Sequence, residues 1–153
     1  MAKIDLLCVG KIKANSPEHA LYHKYISRCR FDIRLIEIAE SKSKTPALAR
    51  AEEAAGITAK LTNNAFQICL DERGKDLSSP DLAAVLQEAF NRRQRPTFLI
   101  GSSYGFDPKL GNQADLHVRF GRLVWPHLLI RAMLAEQIYR AQTILDHHPY
   151  HRA

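Results

Sequence analysis

The sequence predicts an α/β fold: a mostly parallel sheet with helices on both faces. Short, continuous apolar runs alternate along the chain with segments whose apolar residues recur at helical spacing, the pattern of a parallel sheet with crossover helices. The first three helical segments also open on the same signal, a Ser or Thr followed by proline. The 153 residues are predicted to form one domain spanning 1–153. A chain of that length removes roughly 70% of its unfolded surface from water without disulfides or a structural metal.

The elements follow in order. "IDLLCV" (Ile4 to Val9) is an apolar run stopped by Gly10, as expected of a strand buried on both faces. Ser16-Pro17-Glu18 supplies an N-cap, a proline in the first turn and an acid, and predicts a helix to about Arg28. "IRLIEI" (Ile33 to Ile38) is the second strand. Thr45-Pro46 opens an alanine-rich helix, and "AFQICL" (Ala65 to Leu70) is the third strand. Ser79-Pro80-Asp81 repeats the helix start, and Leu82, Val85, Leu86, Ala89 and Phe90 form one apolar face until "NRRQRP". "TFLI" (Thr97 to Ile100) and "LHVRF" (Leu116 to Phe120) are the fourth and fifth strands. Leu128 to Leu145 is a long helix, apolar around most of its girth. That is more apolar surface than an ordinary surface helix carries, so a second copy of the chain is expected to cover part of it.

Composition narrows the function classes. With 46% apolar and 25% charged residues, neither disorder nor a membrane protein is indicated. No apolar run is long enough to span a bilayer, and "MAKIDLLCVG" reads as a first strand rather than a signal peptide, so a cytoplasmic protein is expected. Cys8, Cys29 and Cys69 are odd in number and far apart, which disfavours a disulfide scaffold or a zinc ribbon. Cys8 and Cys69 read as small buried hydrophobes. The 22 Lys and Arg against 16 Asp and Glu give +6, a balance suited to a polyanionic partner such as nucleic acid.

Parallel sheets bind ligands beyond the carboxyl ends of their strands, and three loops stand there. "LDERGKD" (Leu70 to Asp76) reads equally as a polar turn or a ligand loop. "GSSYGFDP" (Gly101 to Pro108) has glycines that let backbone approach a ligand. It also matches the Gly-x-Ser-x-Gly nucleophile elbow of serine hydrolases, with Ser103 as nucleophile, Asp115 or Asp146 as acid and His147 or His151 as base. That elbow needs a helix immediately after the serine, whereas Phe106-Asp107-Pro108 reads as continuing loop. "FGRLVWPH" (Phe120 to His127) combines the freedom of Gly121 with the rigid apolar wall of Trp125-Pro126, which serves either a helix entrance or an adenine ring; His127 reads as structural. The chain ends "ILDHHPYHRA", dense in proton-transfer, stacking and phosphate-binding groups. A zinc site from His147, His148 and His151 lacks a matching cysteine or acid pattern, so no metal is expected.

"WPHLLIRAMLAEQIYRAQTIL" followed by "HPYHR" resembles the carboxyl-terminal signature of the RlmH family, small SPOUT-class RNA methyltransferases that act on a pseudouridine of the large ribosomal RNA. The likeness extends to Val9-Gly10, "LIEI" and Leu70-Asp71, and so covers essentially the whole chain. It implies a SPOUT-type trefoil knot at the carboxyl-terminal end, S-adenosyl-L-methionine as methyl donor, ribosomal RNA or the ribosome as partner, and a homodimer. By matching position it implies donor contacts at Leu70, Gly101, Ser102, Gly121, Arg122, Leu123, Val124, Trp125 and Pro126. Here the chain departs from the family, which usually has two glycines where this sequence has Gly101-Ser102 and a Pro-Glu-like pair where it has Ser103-Tyr104.

Methylating N3 of pseudouridine requires loss of the imide proton. The tail offers His151 as acceptor, Arg152 for phosphate or the developing anion, and Tyr150 to stack on or hydrogen-bond to the base. A non-catalytic ribosome- or RNA-binding module would share the basic surface but lack a saturable site for the donor.

Overall fold

The computed structural model describes residues 2–152. In chain order its elements are β1 (Lys3–Val9), α1 (Pro17–Ile26), β2 (Asp32–Ile38), α2 (Pro46–Thr58), β3 (Ala65–Asp76), α3 (Ser79–Asn91), β4 (Arg95–Ile100), α4 (Pro108–Gln113), β5 (Leu116–Arg119) and α5 (His127–Leu145). The strands form one sheet in the order β2-β1-β4-β3-β5, every neighbouring pair parallel. All strand carboxyl ends therefore share one rim. No helix among the described residues is long and apolar enough to cross a membrane.

Strand alternation explains the two cores. Ile4, Leu6 and Cys8 of β1, with Ile68 and Phe98, face Tyr22 of α1, Leu82 and Leu86 of α3, and Leu134, Ala135 and Ile138 of α5. Leu7, Val9, Cys69 and Leu99 face the opposite way, against Ile57 of α2 and Leu110 of α4. Helices thus cover both faces, as the sequence predicts. At the amino end of the sheet the buried Asp5 carboxylate is paired with Arg34 at 2.7 Å and Arg95 at 3.3 Å.

Several local readings change. The helix after β4 is absent from the sequence reading, yet Asp107 caps it, accepting from the Lys109 amide at 2.9 Å, with Pro108 in its first turn. It repeats the cap-plus-proline signal with an aspartate as the cap. The cap of α3 is Ser78 rather than Ser79: its hydroxyl accepts from the Asp81 amide while the Asp81 carboxylate accepts from the Ser78 amide. Thr45 occupies the cap of α2 without a side-chain hydrogen bond, so there the proline carries the signal. "LDERGKD" is the second half of β3, whose register to β5 shifts between Leu70 and Lys75. A Cβ on Gly74 would meet the Val118 amide nitrogen at 2.6 Å, which is why glycine stands in that bulge.

The segment after β5 shapes the site. It leaves the β5 edge, yet by His127 it lies beside Glu40, with Nε2 3.6 Å from the carboxylate, next to Gly10 at the end of β1. β3 and β4 separate β5 from β1, three strand spacings or roughly 14 Å, so residues 120–127 cross the carboxyl ends of both. From there α5 runs between α1 and α3. It is tied down by the Gln142 side chain, which accepts from the Arg30 amide at 2.5 Å, and by the fully buried Arg131.

Candidate functional site

The three strand-end loops singled out in the sequence line one cleft of about 900 Å³. Leu70 and Asp71 form one side, Gly101 to Phe106 the second, and Gly121 with Leu123, Val124, Trp125 and Pro126 the third. Eight of the nine residues expected to contact the donor therefore converge; Arg122 is exposed and does not line the cleft.

Each loop is held by its own chemistry. The Gly101–Gly105 turn closes through the Gly105 amide, which donates to the Ser102 carbonyl at 2.9 Å. Gly105 has φ of +76°, and a Cβ on Gly101 would approach the Gly105 carbonyl oxygen to 3.0 Å, so the turn needs both glycines. Gly121 has φ of +86° and turns the chain out of β5. The Trp125 indole N–H then donates to the Phe120 carbonyl at 2.8 Å, folding the loop back on itself. Leu123 and Val124 remain 71% and 77% exposed. Unpartnered apolar side chains at a cleft mouth are what a bound ring or a second chain would cover.

Charge at the cleft is arranged in pairs. Burial works against the Asp71 carboxylate, but the Arg73 amide and guanidinium outweigh it and hold Asp71 below the usual carboxylate range. Arg119 makes a two-pronged contact with Asp76, both bonds at 2.8 Å. Arg119, Phe120 and Gly121 also line a smaller groove of about 530 Å³ between α1, the start of α3 and α5, where Leu21, Leu129, Met133 and Glu136 contribute.

The tail is ordered against α5. The Tyr150 hydroxyl donates to Glu136 at 3.1 Å, Arg140 contacts the same carboxylate oxygen at 2.5 Å, and an Arg140 N–H meets His151 Nδ1 at 3.2 Å. Arginine only donates, so Nδ1 is the acceptor in that contact. Burial and the Glu136 hydrogen bond push the Tyr150 phenol up to about 12. Arg152 is exposed. Ile130 of α5 lines the cleft, and Glu136 and Arg140, which hold the tail, stand six and ten residues further along the same helix, about 9 and 15 Å along its axis. Within one chain the tail and the cleft are thus separate.

The competing chemistries find no geometry. Helix α4 begins at Pro108, five residues beyond Ser103, so the nucleophile elbow is not formed. Asp115 lies at the opposite end of the sheet, accepting from the Gln67 amide, and Asp146 pairs with Arg30. Among the described residues no cluster of three His, Cys, Asp or Glu side chains could hold a metal ion.

Three sets of contributors escaped the sequence reading. Arg50 and Ile130 line the cleft; Glu136 and Arg140 hold the tail; Glu53 stands behind Ser102. The last had a signal: Ala49, Glu53 and Ile57 follow one another at intervals of four on the buried stripe of α2, and an acid on such a stripe needs a partner.

The chain also matches known proteins over nearly its whole length. A family model described as "Predicted SPOUT methyltransferase" matches residues 2–151. The chain is 43% identical to the ribosomal RNA large subunit methyltransferase H of Rhodopseudomonas palustris and 38% identical to that of Allorhizobium ampelinum, each match covering 99% of both chains. The corresponding protein of Mesorhizobium japonicum is 41% identical over the same shares.

Proposed function

Because the chain belongs to the SPOUT methyltransferase family, we propose that it methylates large-subunit ribosomal RNA with S-adenosyl-L-methionine, at N3 of a pseudouridine and in the assembled ribosome. The observation that carries this reading is the convergence of three strand-end loops on one cleft. The residues fit the donor: Trp125, Val124 and Ile130 offer an apolar wall for an adenine ring, and the glycine turn at Gly101 to Gly105 leaves backbone accessible. A ribosomal substrate implies a cytoplasmic protein.

S-adenosylmethionine supplies an electrophilic methyl carbon on a positively charged sulfur that leaves as a neutral thioether. The chain's task is then alignment and removal of one proton. The N3–carbon bond forms as the carbon–sulfur bond breaks, and the N3 proton passes to a base. His151 is the proposed acceptor. Its Nδ1 lone pair is the one engaged by Arg140, so the substrate proton displaces Arg140, which stays anchored on Glu136. Arg152 is assigned to phosphate or the developing imide anion, and Tyr150, protonated at any physiological pH, to the base.

The separation of tail and cleft along α5, about 9 to 15 Å, is bridged in this reading by a homodimer, in which the tail of one subunit completes the cleft of the other. Support comes from the exposed Leu21 and the half-buried Leu129 and Met133 along the smaller groove. The path of residues 120–127 across two strand ends supports threading of the carboxyl-terminal segment as a trefoil knot.

Calorimetry with S-adenosylmethionine tests the cleft, sedimentation at micromolar concentration the dimer, and single-turnover methylation of ribosomes carrying the unmethylated pseudouridine the reaction. Deleting residues 150–153 is expected to leave fold, dimer and donor affinity in place and abolish transfer. His151→Ala is expected to lose more rate at neutral than at alkaline pH. RNA binding with no saturable donor site would instead identify a non-catalytic module, and a truncated chain with near-normal rate would remove the tail from the mechanism.

A further inference from the structure

The Glu53 carboxylate is 4% exposed and lines no part of the cleft, yet it accepts a 2.6 Å hydrogen bond from the hydroxyl of Ser102, which does. Its other oxygen faces the Ser41 amide at 3.5 Å, and the Ser41 hydroxyl contacts the neighbouring Glu52. Ser41 and Ser43 in turn accept from the amides of Ser43 and Thr45, which orders the segment bearing the exposed Lys42 and Lys44. One buried carboxylate on α2 therefore stands between the glycine turn of the cleft and a lysine-bearing loop on the same rim.

We propose that Glu53 is a positioning residue for the methyl-donor cleft, acting through Ser102 to hold the Gly101–Gly105 turn in its binding shape and to tie that turn to the Ser41–Thr45 segment. The inference rests on the cleft being the donor site. Its physical basis is the expense of the arrangement: a carboxylate withdrawn from water on an otherwise apolar stripe destabilises the helix packing unless its hydrogen bonds are made. The bond from Ser102 Oγ is the shorter of the two, 2.6 Å against 3.5 Å. The Ser102 oxygen also faces the Tyr104 amide at 3.3 Å, so the contact fixes two residues of the turn at once.

The test is a double-substitution cycle read by calorimetry with S-adenosylmethionine, alongside thermal unfolding. Ser102→Ala and Glu53→Leu are each expected to weaken donor binding roughly ten-fold, the scale of one charge-assisted hydrogen bond. The double variant is expected to be no weaker than either single one. Glu53→Gln keeps an oxygen for the Ser102 hydroxyl and is expected to recover most of the affinity. Glu53→Leu removes a buried charge and is expected to melt no lower than the unsubstituted protein, so that affinity and stability move independently. In the Glu53 variants the saturated single-turnover rate is expected to stay within about three-fold, the loss appearing in donor affinity, because a residue that shapes the bound donor's site acts on the ground state and the transition state alike. Unchanged affinity in folded variants, or losses that simply add, would overturn the inference while the donor site stands. Absence of donor binding by the unsubstituted protein would overturn both.

Discussion

Arg131 of α5 and Glu37 of β2, ninety-four positions apart, meet at 2.8 Å, although Arg131 is entirely buried and Glu37 is 30% exposed. The same guanidinium donates to the Gly10 carbonyl at 3.0 Å, and the same Glu37 oxygen accepts from the Ile12 amide at 2.7 Å. The ends of β1 and β2 are thereby joined to the first turns of the helix that follows the cleft loop.

Arg131→Met is accordingly expected to destabilise the chain by about 2 kcal/mol, the scale for leaving a buried carbonyl without its donor. The Gly10 carbonyl loses its donor, while Glu37 can still turn to water. Glu37→Leu, which leaves the fully buried Arg131 without its carboxylate, is expected to cost about 3 kcal/mol, and the double variant less than the sum of the two single losses. Denaturant midpoints of the three variants check this; losses that simply add would show that Arg131 and Glu37 contribute independently.

Gly121→Val is expected to weaken S-adenosylmethionine binding by roughly ten-fold or more, because a β-branched residue at φ of +86° is strained. Nothing lies within 4 Å of the added Cβ, so the effect is conformational rather than a clash, and the fold should survive. Calorimetry on the folded variant decides it, with unchanged affinity counting against this loop.

The docking of the tail is expected to be sensitive to alkaline pH. The Tyr150 phenol in the folded chain sits at about 12, above its ordinary value near 10. The contribution is therefore complete below pH 10 and is lost as pH rises toward 12, the phenolate being repelled by Glu136. Ultraviolet titration of tyrosinate should show a late-ionising group that disappears in Tyr150→Phe.

All three thiols are expected to resist a disulfide reagent at pH 8 in the native protein and to react together on unfolding. Burial pushes Cys8 and Cys69 up to about 12 and Cys29 to about 11, leaving almost no thiolate. Rapid labelling of Cys8 or Cys69 under native conditions would contradict the packing of the two cores.

The fold class was legible because a parallel strand buried on both faces needs a continuous apolar run, as in Ile4 to Val9, and a helix start needs a cap and tolerates proline, as at Ser16-Pro17. These are local requirements, written within a few residues of one another. Readings failed where a distant partner decided the outcome. Leu70 to Asp76 looks like a loop, yet β5 pairs with it and makes it strand. The helix at Pro108 was hidden by its shortness and by a glycine within it.

The candidate site divides along the same line. The sequence alone determined which residue types stand at the strand ends: the glycines at 101, 105 and 121, the Trp125-Pro126 wall, and the dense tail from Tyr150 to Arg152. Only the tertiary structure decided that three of those loops share a cleft, that Arg122 is exposed and does not line it, that Glu53 stands behind Ser102, and that Tyr150 and His151 lie on Glu136 and Arg140, about 9 and 15 Å along α5 beyond Ile130 of the cleft. The reason is physical. Caps, turns and apolar periods arise from interactions between residues close in the chain, whereas strand order and the path of residues 120–127 bring together groups far apart in the sequence, and no local pattern encodes that meeting.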